Sequence, residues 1–361
     1  MADWEPHPTV QWELTRLCDQ HCRGCPTGAN TRLDPNELST YEAYKTIDQI
    51  AELRPRELII TGGDPLERDD VHQIIDYARR RGLDPALVLP PASGVTFDAL
   101  AKLQNNGLTR VVFNVDDPST HALQAMRWAE SVGLRIEVNT LVLRNNAADL
   151  ETIAALIRPF GIVRWNVHFL VPAGASRELE MLTADEVEWV FETLEEIRAR
   201  ERFALRVVEA PHYRRFRVQQ VLRSRLAADG VEWGDFTGYA CEDDSAREVL
   251  DAALDGARSF VHVSHAGDVR PSEFAPHSAG NLRYRDLGAI YRGSDLFVAL
   301  RNPDNLRGKC RHCEFRILCG GSRARAYAMT GDLFGSDPLC AFQPEAKTNV
   351  PLATRMREAD T

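Results

Sequence analysis

The chain alternates two hydrophobic periods. Thr9-Val-Gln-Trp-Glu-Leu-Thr-Arg16 switches between apolar and polar positions with a period of two, which predicts a strand. Ser39-Thr-Tyr-Glu42 has the form of a helix start, and Ile47, Ile50, Ala51 and Leu53 then supply one apolar face. Glu57-Leu-Ile-Ile-Thr61 reads as a short buried strand running into Gly62-Gly63-Asp64-Pro65. A helix follows through Ile74, Ile75, Tyr77 and Ala78 to Gly82, a plausible stop. The pair of signals then repeats. Strands are expected at Ala86–Leu89, Arg110–Val115, Leu134–Leu143 and Ile162–Val171. Helices are expected over Phe97–Asn106 and Ser119–Val132, then to about Arg158, then over Thr183–Arg202. Phe203–Glu209 reads as one further strand.

Six strand–helix units in regular alternation predict a parallel sheet with helices on its outer face. Right-handed crossovers close such a sheet toward a barrel, and six units fall short of the eight in a full one. In barrels of this kind chemistry sits at the C-terminal ends of strands, so the residues there are the candidates. After residue 216 the pattern stays helical to about 257, but Gly230–Asp244 is rich in glycine and charge and reads as a linker.

Composition narrows the function classes. At 361 residues the chain has room for one large domain and one small one. No run of 18 apolar residues exists, so no membrane span is expected. The start lacks the charged-then-apolar pattern of an export signal, and a cytoplasmic location is expected. A net charge of −10 argues against a general nucleic-acid binder. Seven of the eight cysteines fall into two groups with metal-type spacing, and without an export signal that points to metal rather than disulfides.

Cys18, Cys22 and Cys25 form C-x3-C-x2-C just after the first strand. Three thiolates so close together favour a soft metal centre, zinc or iron–sulfur. Three ligands leave a four-iron cluster with one open iron, and an open position is how a metal site does chemistry. Zinc with a distant fourth ligand, or a redox thiol pair, is the plainer alternative. Cys310, Cys313 and Cys319 form C-x2-C-x5-C, and Cys340 follows 21 residues later. Four thiolates saturate either a cluster or a zinc ion.

The C-x3-C-x2-C loop after a first strand resembles the radical S-adenosylmethionine superfamily. The resemblance implies a partial, laterally open (β/α)6 barrel with a 4Fe–4S cluster on Cys18, Cys22 and Cys25. The open iron would bind S-adenosylmethionine, and one electron from the reduced cluster would release a 5′-deoxyadenosyl radical. Gly62, Gly63 and Asp64 look like the family's motif for the methionine amino group. Asn114 and Asp116 end strand four where the family contacts the nucleoside, with Asp117 in place of the usual glycine. Asn139 and Thr140 are either cofactor contacts or satisfied core residues. Val171-Pro-Ala-Gly174 resembles the backbone that meets the adenine, and His168 reads as a core histidine. Gly24 departs from the family, which usually has an aromatic residue before the third cysteine.

The C-terminal part resembles the SPASM/Twitch extension of these enzymes, through Gly267-Asp-Val-Arg-Pro, Ala279-Gly-Asn-Leu282, Asp286–Tyr291 and Cys319-Gly-Gly-Ser-Arg-Ala-Arg-Ala-Tyr327. Its nearest likeness is to the haem-biosynthesis members. Ser272 and Ser322 stand where a full extension has cysteines, and serine is a poor iron–sulfur ligand. One auxiliary 4Fe–4S cluster, on Cys310, Cys313, Cys319 and Cys340, is therefore expected, with Cys241 a spare thiol. The implied plan is a barrel over 9–210, a bridge over 211–257, a small α+β iron–sulfur domain over 258–345 and a tail over 346–361.

The expected activity is hydrogen abstraction from a tetrapyrrole, peptide or sugar-like substrate. A barrel beginning near residue 9 leaves little room for a leader-peptide module, which weighs against the peptide. The alternative is a non-catalytic iron–sulfur carrier or peptide-binding partner. Glu209, His212, Tyr213 and Arg214 are candidates for a substrate pocket, against the reading of a solvated loop. A flavodoxin or ferredoxin is the expected electron donor. Residues 301–325 carry a net +5 on an acidic chain, a possible docking patch for it.

Overall fold

The computed structural model describes residues 7–20, 22, 25, 28, 30–90, 95–119, 122–229 and 260–344. Strands and helices alternate as β1 (Thr9–Glu13), α1 (Thr40–Leu53), β2 (Glu57–Thr61), α2 (Val71–Arg80), β3 (Pro85–Leu89), α3 (Phe97–Asn105) and β4 (Arg110–Asn114). They continue as α4 (Ala122–Ser131), β5 (Arg135–Val142), α5 (Leu150–Ile157), β6 (Arg164–Phe169), α6 (Ala184–Arg200), β7 (Ala204–Val208) and α7 (His212–Asp229). The strands β1 to β7 pair in chain order and in parallel, the partial-barrel arrangement expected from the repeating units.

Alternation sorts each strand's residues between two faces. Val10, Trp12, Ile60, Leu87, Val111, Val138 and Trp165 are fully buried on one face, as are Ile47, Ile50, Ile74, Leu100 and Ile153 of the helices. The other face, the barrel interior, is polar near the N-terminal ends of the strands. Glu57 of β2 accepts from Arg110 of β4 (2.9 Å), Arg164 of β6 (2.6 Å) and Arg206 of β7 (2.8 Å), and Arg110 also reaches Glu137 of β5 (2.9 Å). Burial pushes the Glu57 carboxyl up, but the three guanidinium groups outweigh it and hold the pKa at about 2. The network ties β2 to β7 across the interior, and removing one partner of such a buried set costs about 3–5 kcal/mol.

Two further features were not expected. β8 (Phe260–Val263) pairs in parallel with β1, and β9 (Asp268–Arg270) and β10 (Gly280–Asn281) extend that edge in antiparallel. The sheet therefore has ten strands, in the order β10-β9-β8-β1-β2-β3-β4-β5-β6-β7. Packing divides the chain into one compact unit of residues 1–181, 193–208 and 259–298 and a second of 182–192, 209–258 and 299–361. The stretch 259–298 thus packs with the barrel strands, not with the C-terminal cysteines as the boundary at 258 implied. The physical reason is the ladder between Thr9–Trp12 and Phe260–Val263. Gly230–Asp244, Cys241 and the tail over 346–361 lie outside the described residues.

Candidate functional site

The first cysteine loop is held by backbone. Past the end of β1 the ladder to β2 continues: Leu14 N donates to Thr61 O (2.7 Å), Gly63 N to Thr15 O (2.7 Å) and Asp64 N to Leu17 O (2.8 Å). A Cβ on Gly62 would stand 2.4 Å from Thr15 O, and one on Gly63 would stand 2.3 Å from Leu17 O. Glycine is required here by the approach of one chain segment to another. The loop closes where Cys18 N donates to Asn30 O (2.9 Å) and Asn30 N to Arg16 O (2.8 Å).

Cys18 is buried, Cys25 half-buried and Cys22 exposed. Burial raises the Cys18 thiol pKa, and Asp64, Cys22 and Cys25 add to it. Cys22, though its side chain is exposed, is raised as well, by partial desolvation and then by Cys25 and Asp116. The three thiols thus feel one another and two carboxylates. Gln20 N points at Cys18 Sγ (3.4 Å). An all-sulfur set crowded with negative charge suits a cationic soft metal centre, which would ionise the thiols. Among the described residues no three His, Cys, Asp or Glu side chains gather as around a single ion. A four-iron cluster does not require that, because each thiolate binds a different iron. Gly24 lies outside the described residues.

Several candidates for S-adenosylmethionine share this end of the barrel. Asp64 is 2% exposed, and its Oδ1 accepts from Leu66 N (3.0 Å). Burial raises its pKa, with Glu67 and Asp19 contributing, so a nearby cation would be welcome. Asp116 accepts from Leu141 N of β5 (2.7 Å), and its pKa too is raised by the surrounding protein. Asn114 donates to Leu89 O (3.1 Å), and Asn139, its register partner, accepts from Asn166 (3.1 Å). Both face the interior.

Thr140 takes the second of its two alternatives. It is fully buried on the opposite face, donating to Val115 O (2.6 Å) and accepting from Trp165 Nε1 (2.8 Å). Its side chain is a satisfied core group. The Val171 carbonyl is also committed, to Ala173 N (2.8 Å) and Ser176 Oγ (2.9 Å). His168 faces inward and is held neutral, its pKa lowered to about 4 by burial and by Arg206.

Two residues were missed. Arg68, 8% exposed, donates to Leu14 O (3.0 Å), Leu38 O (2.8 Å), Glu37 (3.3 Å) and Asp70 (2.6 Å). It joins the start of the cysteine loop, the returning chain and the segment after Gly62-Gly63-Asp64-Pro65. Asn146 accepts from Leu143 N (2.8 Å) and donates to Asp116 O (2.8 Å) and Leu141 O (2.9 Å), fixing the Asp116 turn. No local pattern signals either one, since the partners that tie them to the site, Leu14 and Leu38 for Arg68 and Asp116 for Asn146, are distant in sequence.

The second cysteine set has a different environment. Phe315 and Leu318 form a small core with Val218, Cys313, Cys319 and Phe342 around it. Burial pushes the Cys313 thiol up to about 12, with Glu314, Cys340 and Cys310 adding to it. Cys319 is raised further, by burial and then by Cys340. Gly321 N points at Cys319 Sγ (3.3 Å), and Lys309 Nζ donates to the Cys340 carbonyl. Four mutually coupled thiols fit a fully ligated cluster or ion. Ser322 has another task. It caps the helix Arg323–Thr330 by accepting from Arg325 N (3.1 Å), and it donates to Glu209 Oε2 (2.5 Å). Ser272 lies in the barrel unit and accepts from Phe274 N (3.2 Å).

The pocket candidates at 209–214 need correction. His212 is fully buried, 3.7 Å from Asp337, and burial lowers its pKa to about 3. Tyr213 is buried against Phe191 (5.1 Å) and stacked on Phe216 (6.4 Å). These two are core of the second unit because α7 begins at His212 and turns them inward. Glu209 takes a left-handed φ of 57° and accepts from Arg325 at its carbonyl (2.5 Å), while Arg325 also pairs with Asp337 (3.0 Å). Arg214 is half-buried and reaches Leu318 O (3.5 Å).

A partial parallel barrel with three cysteines in the loop after its first strand defines a class. The model of the Radical SAM superfamily matches residues 12–145, and the chain belongs to that superfamily of enzymes. It is 30% identical to the AdoMet-dependent heme synthase of Oleidesulfovibrio alaskensis over 354 residues, 94% of this chain and 88% of that one. It is 26% identical to the pre-heme d1 synthase of Dinoroseobacter shibae over 94% of this chain and 87% of the relative. Among solved structures, Streptococcus suis SuiB bound to S-adenosylmethionine shares the fold, with a TM-score of 0.68 at 13% identity over 94% of this chain and 78% of that one. The expectation of an enzyme holds, and its alternative, a non-catalytic carrier, gives way.

Proposed function

We propose that this enzyme uses a 4Fe–4S cluster on Cys18, Cys22 and Cys25 to cleave S-adenosylmethionine and abstract hydrogen from a tetrapyrrole side chain. A second cluster on Cys310, Cys313, Cys319 and Cys340 relays electrons. The observation that carries the reading is the backbone lock between the cysteine loop and Gly62-Gly63-Asp64, which brings three coupled thiols beside a buried carboxylate. The tetrapyrrole class rests on the likeness to heme synthases along 94% of the chain.

When bound, the cluster and S-adenosylmethionine supply a 5′-deoxyadenosyl radical. The protein's part is to hold and orient. Asp64, short of compensating charge, receives the methionine ammonium. Asp116, fixed by Leu141 N and Asn146, and Asn114 receive the ribose. Asn139 lines the interior beside them. Neutral His168 on β6 offers a hydrogen bond without a competing positive charge. A flavodoxin or ferredoxin supplies the electron in a cytoplasmic setting.

Anaerobic turnover of reduced, reconstituted protein with a panel of porphyrins, peptides and sugars tests this. Porphyrins bearing carboxylate side chains are expected to raise 5′-deoxyadenosine formation and to be consumed. Stimulation by a peptide or sugar alone would move the substrate class. No 5′-deoxyadenosine under any condition would overturn the cleavage itself.

A further inference from the structure

We propose that His265 is a positioning residue for the three-cysteine loop: it clasps Glu13, where the chain enters the loop, to Asp34, where the chain leaves it. His265 sits in the turn between β8 and β9, more than 200 positions away in sequence, and reaches the loop because β8 pairs with β1. Its Nδ1 lies 2.9 Å from Glu13 Oε2 and its Nε2 lies 2.9 Å from Asp34 Oδ2. Two carboxylates on one ring require both nitrogens to donate, so the clasp is an imidazolium between two anions. Its backbone joins in: His265 N donates to Glu13 Oε2 (3.3 Å), and Leu38 N donates to His265 O (2.8 Å). Arg283, after β10, grips the same returning segment through Asn36 O (3.0 Å) and Glu42 (2.6 Å). His265 and Glu13 are almost fully buried and Asp34 is partly exposed.

Among the described residues the cysteine loop is tied to the rest of the chain by backbone at Leu17, Cys18 and Asn30, and Cys25 N donates to Cys22 O (3.3 Å) within it, so where the flanking residues 13 and 34 are held bears on the loop. Outer partners of metal-binding segments commonly change metal affinity by about 10–100-fold when removed. The groups facing His265 are Glu13, Asp34, Arg16 and His262. Burial and Arg16 lower the His265 pKa, but the two carboxylates outweigh them and raise it above its ordinary value. The sign follows. The clasp is at full strength below the ordinary histidine pKa and is lost as pH rises through the raised one. Asp34 is lowered, chiefly by its bond from Asn36 N and by His265, so it stays charged well below neutrality.

The proposal rests on Cys18, Cys22 and Cys25 holding the catalytic cluster. Its test follows iron at that site, and the electron paramagnetic resonance signal of the reduced protein with S-adenosylmethionine, between about pH 6 and pH 9. The wild type is expected to lose this iron faster as pH rises. His265→Gln, with one donor and no charge, is expected to lose it about 10-fold faster at neutral pH and to show a flat profile. Asp34→Asn, at a partly exposed position that tolerates an amide, is expected to move the wild-type profile to lower pH. Should His265→Gln not fold, Asp34→Asn decides alone. Wild-type retention and an unchanged profile in the variants that fold overturn the clasp. A protein with all three cysteines changed to alanine serves as reference. If it holds as much iron as the wild type, the cysteine assignment fails, and the clasp with it. If it holds less while the His265 and Asp34 variants match wild type, the clasp alone fails.

Discussion

The two cysteine sets use one ligand type in two different settings. Around Cys18, Cys22 and Cys25 the protein supplies three thiols, one of them exposed, on a loop pinned at its ends by backbone bonds. Around Cys310, Cys313, Cys319 and Cys340 it supplies four half-buried thiols, of which Cys313 and Cys319 pack against Phe315 and Leu318. Lys309 and Arg215 oppose the burial that raises Cys340. Ligand number separates the two settings, since a saturated centre would keep further ligands out and an unsaturated one would invite them. The first set also depends on the barrel, and the second on its own small core.

The sharpest way to break this comparison is to remove the first set. Cys18→Ala, Cys22→Ala and Cys25→Ala together should abolish 5′-deoxyadenosine and lower the iron content by one four-iron cluster. The second centre should stay, because its ligands and its Phe315–Leu318 core are untouched. Iron and sulfide analysis of anaerobically reconstituted protein reads the change. Equal loss from both centres would mean that the sets are not independent, and zinc in the residual protein would replace the second cluster.

Much of this was legible in the sequence. Alternating stretches and short apolar runs marked β1 to β7, and cysteine spacing marked both sets. What was hidden depends on contacts between distant positions. Phe260-Val-His-Val263 is too short to announce itself, and only its ladder to Thr9–Trp12 makes it a barrel strand. Arg68 and His265 sit among unremarkable neighbours, and their importance lies in partners 30 to 252 positions away. Thr140 is different, because its signal was present. Glu137 and Asn139 face inward, so a period of two sends Thr140 outward. At His212 and Tyr213 the misleading feature was the charged stretch around them. The arginine-rich start of α7 read as a substrate pocket or a solvated loop, yet His212, Tyr213, Arg215 and Phe216 are all buried.

A milder perturbation sharpens the contrast. Gly63→Ala would place a methyl group 2.3 Å from Leu17 O, and forcing backbone apart costs about 1–3 kcal/mol. Iron at the first site should become labile while the second site keeps its own. Gly28→Ala is the control: its φ is 62° and a Cβ there meets no atom of the described residues within 4 Å. That change should cost about 1–2 kcal/mol through backbone strain without separating β2 from the loop. Thermal melting compared with iron retention distinguishes the two. If both variants lose first-site iron equally, the lock at Gly63 is not special.

The smallest effect concerns the proposed docking of an electron donor near the second set. The +5 of residues 301–325 is largely used inside the protein. Arg325 is fully buried against Asp337, Arg323 donates to Leu333 O and Gly335 O, Lys309 serves Cys340 O, and Arg316 faces Asp304 at 3.6 Å. Arg307 remains exposed, with Asp332 3.2 Å away, and Arg311 is exposed four residues on, next to Cys310. A patch this small steers an acidic partner weakly, and its reach shrinks from about 10 Å at 0.1 M salt to about 3 Å at 1 M. Reversing both to glutamate should slow flavodoxin-driven turnover several-fold at low salt and less at high salt, with dithionite-driven turnover unchanged. Equal losses with both reductants would assign Arg307 and Arg311 to the fold around the second set and leave the docking surface elsewhere.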